Sequence, residues 1–333
     1  MIQIQLPDRK QRRLPFYLAL EEWVARALPA DEYFFSWTVG PTVIIGRNQD
    51  IDSEVNLAYC RENGIDVCRR RSGGGCVFAD PRNIMLSFVT ARTGVQTVFA
   101  EYTGRVAAQL RKMGIDAVAT GRNDITVGGR KISGNAFYHL PGRSIVHGTM
   151  LFDTDVTAMQ NAITPSRAKL LSKKVQSVPA RIVTAHSLLP QVTLDEFHTR
   201  LTDGLTDSTY TLTQAQMDAV AEIEQTYYSP QWLYGSSDRQ SHGRTNRHID
   251  GVGEIDTRIT TDSAGNIAHV NLTGDFFILA DLDTYLLDKL KGVPLHKAAI
   301  ATALADTDTD RVIANLSTPK FIELLTENQP TNP

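Results

Sequence analysis

The sequence predicts an α+β protein, with a large domain followed by a small one. Short β-branched runs such as residues 42–47 are typical of buried strands. Apolar stripes at helical spacing, as in residues 98–113, predict helices between the strands. Residues 233–253 are polar, rich in glycine and without periodicity, so they are the predicted linker. We therefore expect domains over residues 1–245 and 251–333.

The composition is that of a globular protein. Of its 333 residues, 42% are hydrophobic and 21% are charged, and the net charge is −3 with a pI near 6.2. Proteins that bind nucleic acid in general are basic, so we expect no nucleic-acid partner. No run approaches the ~18 apolar residues of a membrane span, and the first residues lack the apolar core of a secretory signal. We expect a cytoplasmic protein that does not bind membranes.

Three arginines run directly into three glycines. Arg69, Arg70 and Arg71 carry a charge that persists at physiological pH. On a strand, Arg69 and Arg71 would share one face and Arg70 would lie on the other. Residues 73–75 have no Cβ, so their backbone N–H groups can approach a ligand closely. The segment indicates a phosphate or carboxylate site, although a surface turn with solvated arginines has the same pattern. Neither P-loop nor GxGxxG spacing is present.

A lysine-bearing hairpin is the second candidate element. Two alternating runs flank Gly128 and Gly129, and such a pair predicts a two-residue turn. Lys131 follows the turn, and Asn123 and Asp124 stand at the start of the first strand. A lysine held rigidly on a strand can act as a fixed charge toward a phosphate. An ordinary surface lysine is the commoner alternative.

Two further segments have weaker signals. His147 lies within an otherwise apolar strand, where a core histidine is commoner than a catalyst. Residues 163–182 are rich in lysine and serine and predict a long, partly mobile loop. The three cysteines Cys60, Cys68 and Cys76 include no CxxC pair, which argues against a zinc site or a disulfide framework.

In this order, RRRSGGGCV, GRNDITVGGRKISG and HGTMLF resemble the superfamily of lipoate and biotin ligases and octanoyl transferases. LLSKKVQSVPARI is similar to the adenylate-binding loop of that family. YYSPQWLYGSS and LTGDFF, with the helices that follow, are typical of the accessory domain of lipoate–protein ligases. The resemblance covers nearly the whole chain and points to the lipoate–protein ligase branch.

This resemblance implies a mixed-sheet catalytic domain of the biotin and lipoate ligase type, related to class II synthetases, with a small α/β accessory domain. It also implies a reaction in two steps, with ATP and Mg²⁺ as cofactors. Lipoate attacks the α-phosphate of ATP to give lipoyl-AMP and pyrophosphate, and a lysine of an acceptor protein then takes the lipoyl group. The implied acceptors are lipoyl domains of 2-oxoacid dehydrogenase E2 subunits and the glycine cleavage H protein.

The resemblance also assigns roles to individual residues. Lys131 would lie between the lipoate carboxylate and the α-phosphate and would be the catalytic residue. The residues matched to ATP binding are Arg69, Gly74, Gly75, Cys76, Val77, Asn123, Asp124 and Lys131. Those matched to the lipoate pocket are Arg71, Gly73, Lys131 and His147, with His147 buttressing the pocket. Asp124 is also the candidate Mg²⁺ ligand, and the loop at residues 163–182 would close over the adenylate.

Three other functions remain open at the level of the sequence. A transferase of the same superfamily would form a thioester on a cysteine, but no cysteine follows Cys76. A biotin ligase has a different glycine loop. A lipoate-binding protein without catalysis fits a closing loop in which Pro179 and Ala180 stand where the family more often has Arg-Ser.

Overall fold

The computed structural model describes residues 1–92, 94–120, 123–163, 181–234 and 244–326. The strands of these ranges are β1 (Ile2–Gln5), β2 (Tyr33–Trp37), β3 (Thr42–Ile45), β4 (Asp66–Arg69), β5 (Val77–Ala79), β6 (Ile84–Thr90), β7 (Ala117–Ala119), β8 (Asp124–Val127), β9 (Arg130–Leu140), β10 (Arg143–Met150), β11 (Ser208–Thr211), β12 (Arg244–Ile249), β13 (Gly253–Thr261) and β14 (Ile267–Gly274).

The α-helices of the same ranges are α1 (Leu14–Ala27), α2 (Ile51–Glu54), α3 (Leu57–Glu62), α4 (Val95–Lys112), α5 (Val156–Ala162), α6 (Ala185–Leu188), α7 (Leu194–Asp203), α8 (Gln214–Glu224), α9 (Pro230–Tyr234), α10 (Lys297–Ala303) and α11 (Thr318–Thr326). Shorter 3₁₀ or π turns cover Gln225–Tyr228, Asp283–Leu287, Asp288–Leu290 and Thr309–Arg311. None of the helices in the described ranges has the length and apolar character that a bilayer span requires.

Eight strands form one large sheet in the order β11-β1-β2-β6-β10-β9-β8-β7. Strand β1 pairs in parallel with both β2 and β11, whereas the remaining neighbours are antiparallel. Gly128 and Gly129 turn between β8 and β9 with φ of 55° and 76°, which confirms the predicted hairpin. A mixed sheet that is mostly antiparallel confirms the predicted α+β class.

Helices cover both faces of this sheet because its strands alternate between two apolar cores. On β10, Ile145 packs toward α1 and α8, and Val146 packs toward α4 and α7. The sequence predicts α1 as an amphipathic helix, and its helical conformation is confirmed. All of its residues from Leu14 to Ala25 are buried, however, since the helix lies between the large sheet, α8 and a second, smaller sheet.

The smaller sheet has the order β4-β3-β5 and carries the glycine loop between β4 and β5. One of its faces joins the α1 core through Ile44, and its other face packs Val43 and Ile45 against α2, α3 and α5. Strand β4 ends at Arg69. The predicted strand alternation of the three arginines is therefore wrong beyond Arg69.

The C-terminal residues form a three-stranded sheet, β12-β13-β14, with a core of its own built around Ile255, Phe276 and Phe321. Part of the predicted linker is strand β12, which pairs with β13 along its whole length. This strand was not predicted because Ile249, at its end, is the only apolar residue in its sequence. The sequence of β12 therefore shows no alternation of apolar and polar residues. The rest of that linker, residues 235–243, lies outside the described residues.

Most of the predicted loop at residues 163–182 also lies outside the described residues, which omit 164–180. Its two ends are described. Ile163 forms a β-bridge with Val55, and Ile182 forms a parallel bridge with Lys131.

Candidate active site

The glycine loop is built around Arg70, which is fully buried beneath it. Its guanidinium donates to the carbonyls of Gly73 at 2.7 Å and Gly75 at 2.8 Å, to Ile44 O at 3.1 Å and to Ser72 Oγ at 2.8 Å. Burial lowers the pKa of Arg70 to about 10, so the group is still charged at neutral pH. Arg70 therefore holds the loop from inside and does not face a ligand.

Holding two carbonyls inward turns the next two amides outward. In a trans peptide the N–H points opposite to the C=O of the preceding residue. The N–H groups of Gly74 and Cys76 are accordingly directed away from Arg70, as an anion-binding loop requires. Gly74 has a φ of 86°, which only glycine adopts without strain.

Close backbone packing explains two other glycines of this region. A Cβ on Gly46 would stand 2.1 Å from Gly74 O, and a Cβ on Gly73 would stand 2.3 Å from Phe276 O. Gly74 N donates to Phe276 O at 3.1 Å, and the ring of Phe277 lies beside Gly74. The segment that follows β14 thus covers the glycine loop and occupies one of its outward donors.

Arg69 is also buried, and its guanidinium binds only main chain among the contacts of the described residues. It donates to the carbonyls of Gly46, Arg47, Gln49 and Leu233 at distances from 2.7 to 3.0 Å. Burial lowers its pKa to about 10. Arg69 joins the turn after β3 to α9 and so fixes the edge of the glycine loop.

Arg71 extends toward α1 and α9. Its Nε donates to Glu22 at 2.7 Å and to the hydroxyl of Tyr227 at 3.1 Å, and its guanidinium lies over the rings of Tyr227 and Trp232. Burial acts to lower the pKa of Arg71, but Tyr227 and Glu22 together outweigh it, and the pKa is raised. Arg71 has a carboxylate partner in this structure, and any lipoate contact would share it with Glu22.

Lys131 is aimed by a β-bulge. Ile132 is an extra residue on β9, because Ser133 pairs with Ile125 while Lys131 pairs with Thr126. The extra residue reverses the alternation of side chains, so Lys131 projects on the same face as Gly134. A Cβ on Gly134 would stand 2.3 Å from both Cε and Nζ of Lys131. The absent side chain at Gly134 makes room for the ammonium.

The ammonium of Lys131 faces the carboxylate of Asp124 at 2.8 Å, and both side chains are partly exposed. The contact meets the distance of an ion pair, but Asp124 Oδ1 lacks a partner with hydrogen-bond geometry. Asn123 donates from its amide to Asn135 O at 3.1 Å and so extends the β8–β9 pairing. Of the two predicted residues, Asp124 contacts Lys131 and Asn123 contacts Asn135.

His147 connects the large sheet to the glycine loop. His147 is on β10 and pairs with Ala136 of β9. Its side chain lies on the same face of the sheet as Gly134 and the Lys131 ammonium. Nε2 of His147 lies 2.7 Å from Ser72 Oγ at the base of the loop. The Lys131 ammonium and the His147–Ser72 contact at the base of the glycine loop therefore lie on the same face of the large sheet.

Glu21, on α1, is a buried residue of this region that sequence reasoning missed. Its carboxylate lies 2.8 Å from Nδ1 of His147 and accepts from the hydroxyls of Ser87 and Tyr138. Its fractional exposure is 0%, although on an isolated amphipathic helix it would be assigned to the solvent face. The adjacent acidic pair in an otherwise apolar helix was the available signal.

The remaining predicted site residues lie on the loop and on β5. The side chain of Cys76 is partly exposed, and that of Val77 packs against the α1 core. No group of three or more His, Cys, Asp or Glu side chains in the described ranges is arranged to hold a metal. Mg²⁺ bound with a nucleotide needs only one or two carboxylates, and Asp124 fits that need.

Comparison with known protein families identifies this arrangement. A model of the lipoyl protein ligase A/B catalytic domain matches residues 14–206, and a model of the bacterial lipoate protein ligase C-terminus matches residues 241–325. The fold and the site thus define a protein with a lipoyl ligase catalytic domain and a ligase-type C-terminal region.

The chain is 32% identical to lipoate-protein ligase LplJ of Bacillus subtilis over 319 residues, 92% of this chain and 95% of that relative. It belongs to the lipoate–protein ligase family, and it is a ligase enzyme.

Solved structures share the fold. P. falciparum LipL1 in complex with lipoate superposes with a TM-score of 0.76 at 21% identity, covering 98% of both chains. Lipoate-protein ligase A bound with ATP superposes with a TM-score of 0.61 at 24% identity, covering 70% of this chain and 98% of that one. These neighbours confirm the predicted mixed-sheet ligase architecture.

Proposed function

We propose that this chain activates free lipoate with ATP to lipoyl-AMP and then transfers the lipoyl group to a lysine of a lipoyl domain. The observation that carries the proposal is that the Lys131 ammonium lies on the same face of the large sheet as His147, which contacts Ser72 at the base of the glycine loop. Similar proteins described as bound to lipoate or to ATP support the two substrates.

The first step needs a cation between two anions. A carboxylate and a triphosphate repel each other, and fixed positive charge must offset that repulsion as the new bond to phosphorus forms. Lys131 fills this role in the proposal, with its ammonium exchanging Asp124 for the lipoate carboxylate and the α-phosphate. The ion pair with Asp124 is partly exposed, so the exchange costs little.

The outward amides of Gly74 and Cys76 receive phosphate oxygens in this proposal. Gly74 N–H donates to Phe276 O in the structure, so a phosphate at that donor replaces a hydrogen bond to the segment that follows β14. Gly75 and Val77 complete the backbone of the ATP site, with Arg69 fixing its edge. A charged phosphate oxygen makes a stronger hydrogen bond with the Gly74 N–H than a neutral carbonyl or water oxygen does.

The assignment of Arg71, Gly73, Lys131 and His147 to the lipoate pocket remains a prediction. Arg71 would neutralise the carboxylate end of lipoate together with Lys131, and Gly73 would line the pocket beside it. His147 would act from below, since its ring is held between Ser72 and Glu21. Asp124, with Asn123 beside it, is the proposed protein ligand of Mg²⁺, which neutralises phosphate charge when bound.

The thioester alternative is disfavoured by the positions of two cysteines. Cys60 and Cys68 are buried, and burial raises the pKa of Cys68 to about 12 and also raises that of Cys60. A thiol that keeps its proton at neutral pH is a poor nucleophile. Cys76 is partly exposed and is the remaining candidate for such a route.

The division into domains at 1–245 and 251–333 stays a prediction. The separate core around Ile255 and Phe321 supports a C-terminal unit that begins with β12. In the proposal this unit covers the catalytic domain at the glycine loop.

A mass-shift assay tests the proposed function. Purified lipoyl domains of E2 subunits and the glycine cleavage H protein are incubated with the enzyme, lipoate, ATP and Mg²⁺, and intact masses are measured. We expect one lipoyl group per acceptor, dependent on ATP, and the same result from a variant with all three cysteines replaced by serine. Modification without ATP, or its loss in the cysteine-free variant, would favour the transferase instead.

A further inference from the structure

The three arginines of the glycine-loop motif are all engaged within the protein. Arg69 and Arg70 are buried and donate mainly to main-chain carbonyls, and Arg71 is paired with Glu22. Lys131 is assigned to the α-phosphate and the lipoate carboxylate. The other two phosphates of ATP leave as pyrophosphate, and phosphoryl-transfer sites neutralise such charge with arginine or lysine as well as with a metal ion. Another cation beside the glycine loop is therefore needed.

Arg47 lies in the turn that follows β3, and its main chain is held against the glycine loop. Its N–H donates to Ser72 O at 2.9 Å, and its carbonyl accepts from Arg69 at 2.9 Å. The preceding residue, Gly46, lies so close to the loop that a Cβ on it would stand 2.1 Å from Gly74 O. The backbone of Arg47 is therefore fixed beside the loop.

The side chain of Arg47, in contrast, is free. It is exposed, and its guanidinium forms no hydrogen bond or ion pair with any residue of the described ranges. Two neighbouring amide nitrogens, Asn48 Nδ2 and Gln49 Nε2, are buried and also lack an acceptor in those ranges. Buried donors normally have an acceptor. Three unused donor groups in one turn indicate a ligand that is rich in acceptor oxygens.

The turn lies next to the outward amide of Gly74, because one short segment contacts both. Gly274 N donates to Asn48 O at 2.8 Å, and Phe276 O accepts from Gly74 N at 3.1 Å. Residues 274 and 276 are only two positions apart, so their two contacts on the catalytic domain are neighbours. A chain of phosphates that begins at the loop amides can thus continue along the turn.

We propose that Arg47 binds the β- and γ-phosphates of ATP, in a subsite formed by the turn at residues 46–49. As the lipoate carboxylate bonds to the α-phosphorus, the bond to the bridging oxygen breaks and its electron pair passes to pyrophosphate. The guanidinium can donate two hydrogen bonds to one phosphate and so stabilises the charge that develops there. The inference rests on the proposed function and adds to it a cation from outside the three motifs.

The test separates a reaction that contains the two outer phosphates from one that lacks them. Arg47→Ala is assayed for lipoate-dependent pyrophosphate release, and separately for lipoyl transfer from synthetic lipoyl-AMP to a lipoyl domain. We expect the KM for ATP to rise about tenfold or more, because charge-assisted hydrogen bonds are lost. Transfer from lipoyl-AMP should stay within about twofold of wild type, since that compound has no β- or γ-phosphate.

Arg61→Ala is the matched control. Arg61 is also exposed and has no partner in the described part of the chain, but it lies on α3 and not at the glycine loop. The same charge is lost, so an unchanged KM for ATP is expected. Thermal melting shows whether each variant folds, and Arg47→Gln takes the place of Arg47→Ala should the alanine variant fail to fold.

Three results overturn the inference: a folded Arg47→Ala with the wild-type KM for ATP, an equal loss in transfer from lipoyl-AMP, or the same rise in KM in Arg61→Ala. The failure of the proposed function looks different. In that case the wild type itself releases no pyrophosphate when lipoate and ATP are added.

Discussion

The ammonium of Lys131 lies directly over the Cα of Gly134, where a Cβ would stand 2.3 Å from it. This contact exists because the bulge at Ile132 turns both residues to the same face of the sheet. Glycine is thus required at position 134 because a side chain there would displace Lys131, and not because of the backbone conformation.

Gly134→Ala should displace the Lys131 ammonium and reduce adenylate formation by at least about tenfold, an effect of roughly 1.4 kcal/mol on the barrier. The lysine end is flexible, so the free energy of unfolding should change by less than about 1 kcal/mol. Gly104→Ala is the control, because a Cβ at Gly104 on α4 has nothing within 4 Å. Pyrophosphate release and urea unfolding measure the two effects, and wild-type activity of Gly134→Ala would contradict the prediction.

Gly46→Ala should weaken ATP binding although residue 46 is not one of the proposed ATP contacts. Its Cβ would stand 2.1 Å from Gly74 O, a backbone atom that moves only with the glycine loop. We expect a loss of about 1–3 kcal/mol in the free energy of unfolding and a weaker affinity for ATP. Calorimetric titration with ATP is the measurement, and Gly40→Ala, where a Cβ meets nothing within 4 Å, is the control. Unchanged affinity in a folded Gly46→Ala would refute the link between the two glycines.

Alkylation should distinguish the three cysteines. Burial raises the pKa of the Cys60 and Cys68 thiols, that of Cys68 to about 12, so at pH 8 these groups keep their protons and react slowly. The partly exposed Cys76 should be alkylated first in the native protein. Peptide mass spectrometry after iodoacetamide treatment reads out the order. Rapid labelling of Cys68 in the folded protein would show that its burial is wrong.

Asp124→Asn separates two roles of this carboxylate. If Asp124 binds Mg²⁺, as proposed, Asp124→Asn should weaken Mg²⁺ binding. The Mg²⁺ concentration that gives half-maximal activity should then be several times higher than for the wild type. If the carboxylate only orients Lys131, activity should fall equally at all Mg²⁺ concentrations. Titration of pyrophosphate release against Mg²⁺ decides between the two. Asp116→Asn, on the chain between α4 and β7, serves as the control.

Local signals in the sequence were sufficient for the β8–β9 hairpin, and one is also present at the start of α8. Gly128 and Gly129 predict their turn because positive φ is a property of the residues themselves. Thr213 and Gln216 form the full capping box that their spacing predicts. The order of the three motifs likewise led to the family, which the matched domains confirm.

Relationships between distant residues were beyond the sequence. The parallel pairing of β1 with β11 joins residues about 206 positions apart, as in Ile2 with Ser208, and no local pattern specifies it. Strand alternation places Arg69 and Arg70 on opposite faces, yet both guanidiniums are buried against main-chain carbonyls, because β4 ends at Arg69. From the sequence alone, Glu21 would be assigned to the solvent-facing side of α1. It is buried because tertiary contacts cover all sides of this helix.

Lipoate-dependent release of pyrophosphate from ATP, measured without acceptor protein for wild type and Lys131→Ala, tests the central claim most directly. The account predicts release by the wild type and a loss of at least about a thousandfold in a folded Lys131→Ala, since a preorganised charge at the reacting centre is removed. Release by the variant at the wild-type rate would contradict the role of Lys131. Absence of release from the wild type would contradict adenylate formation itself.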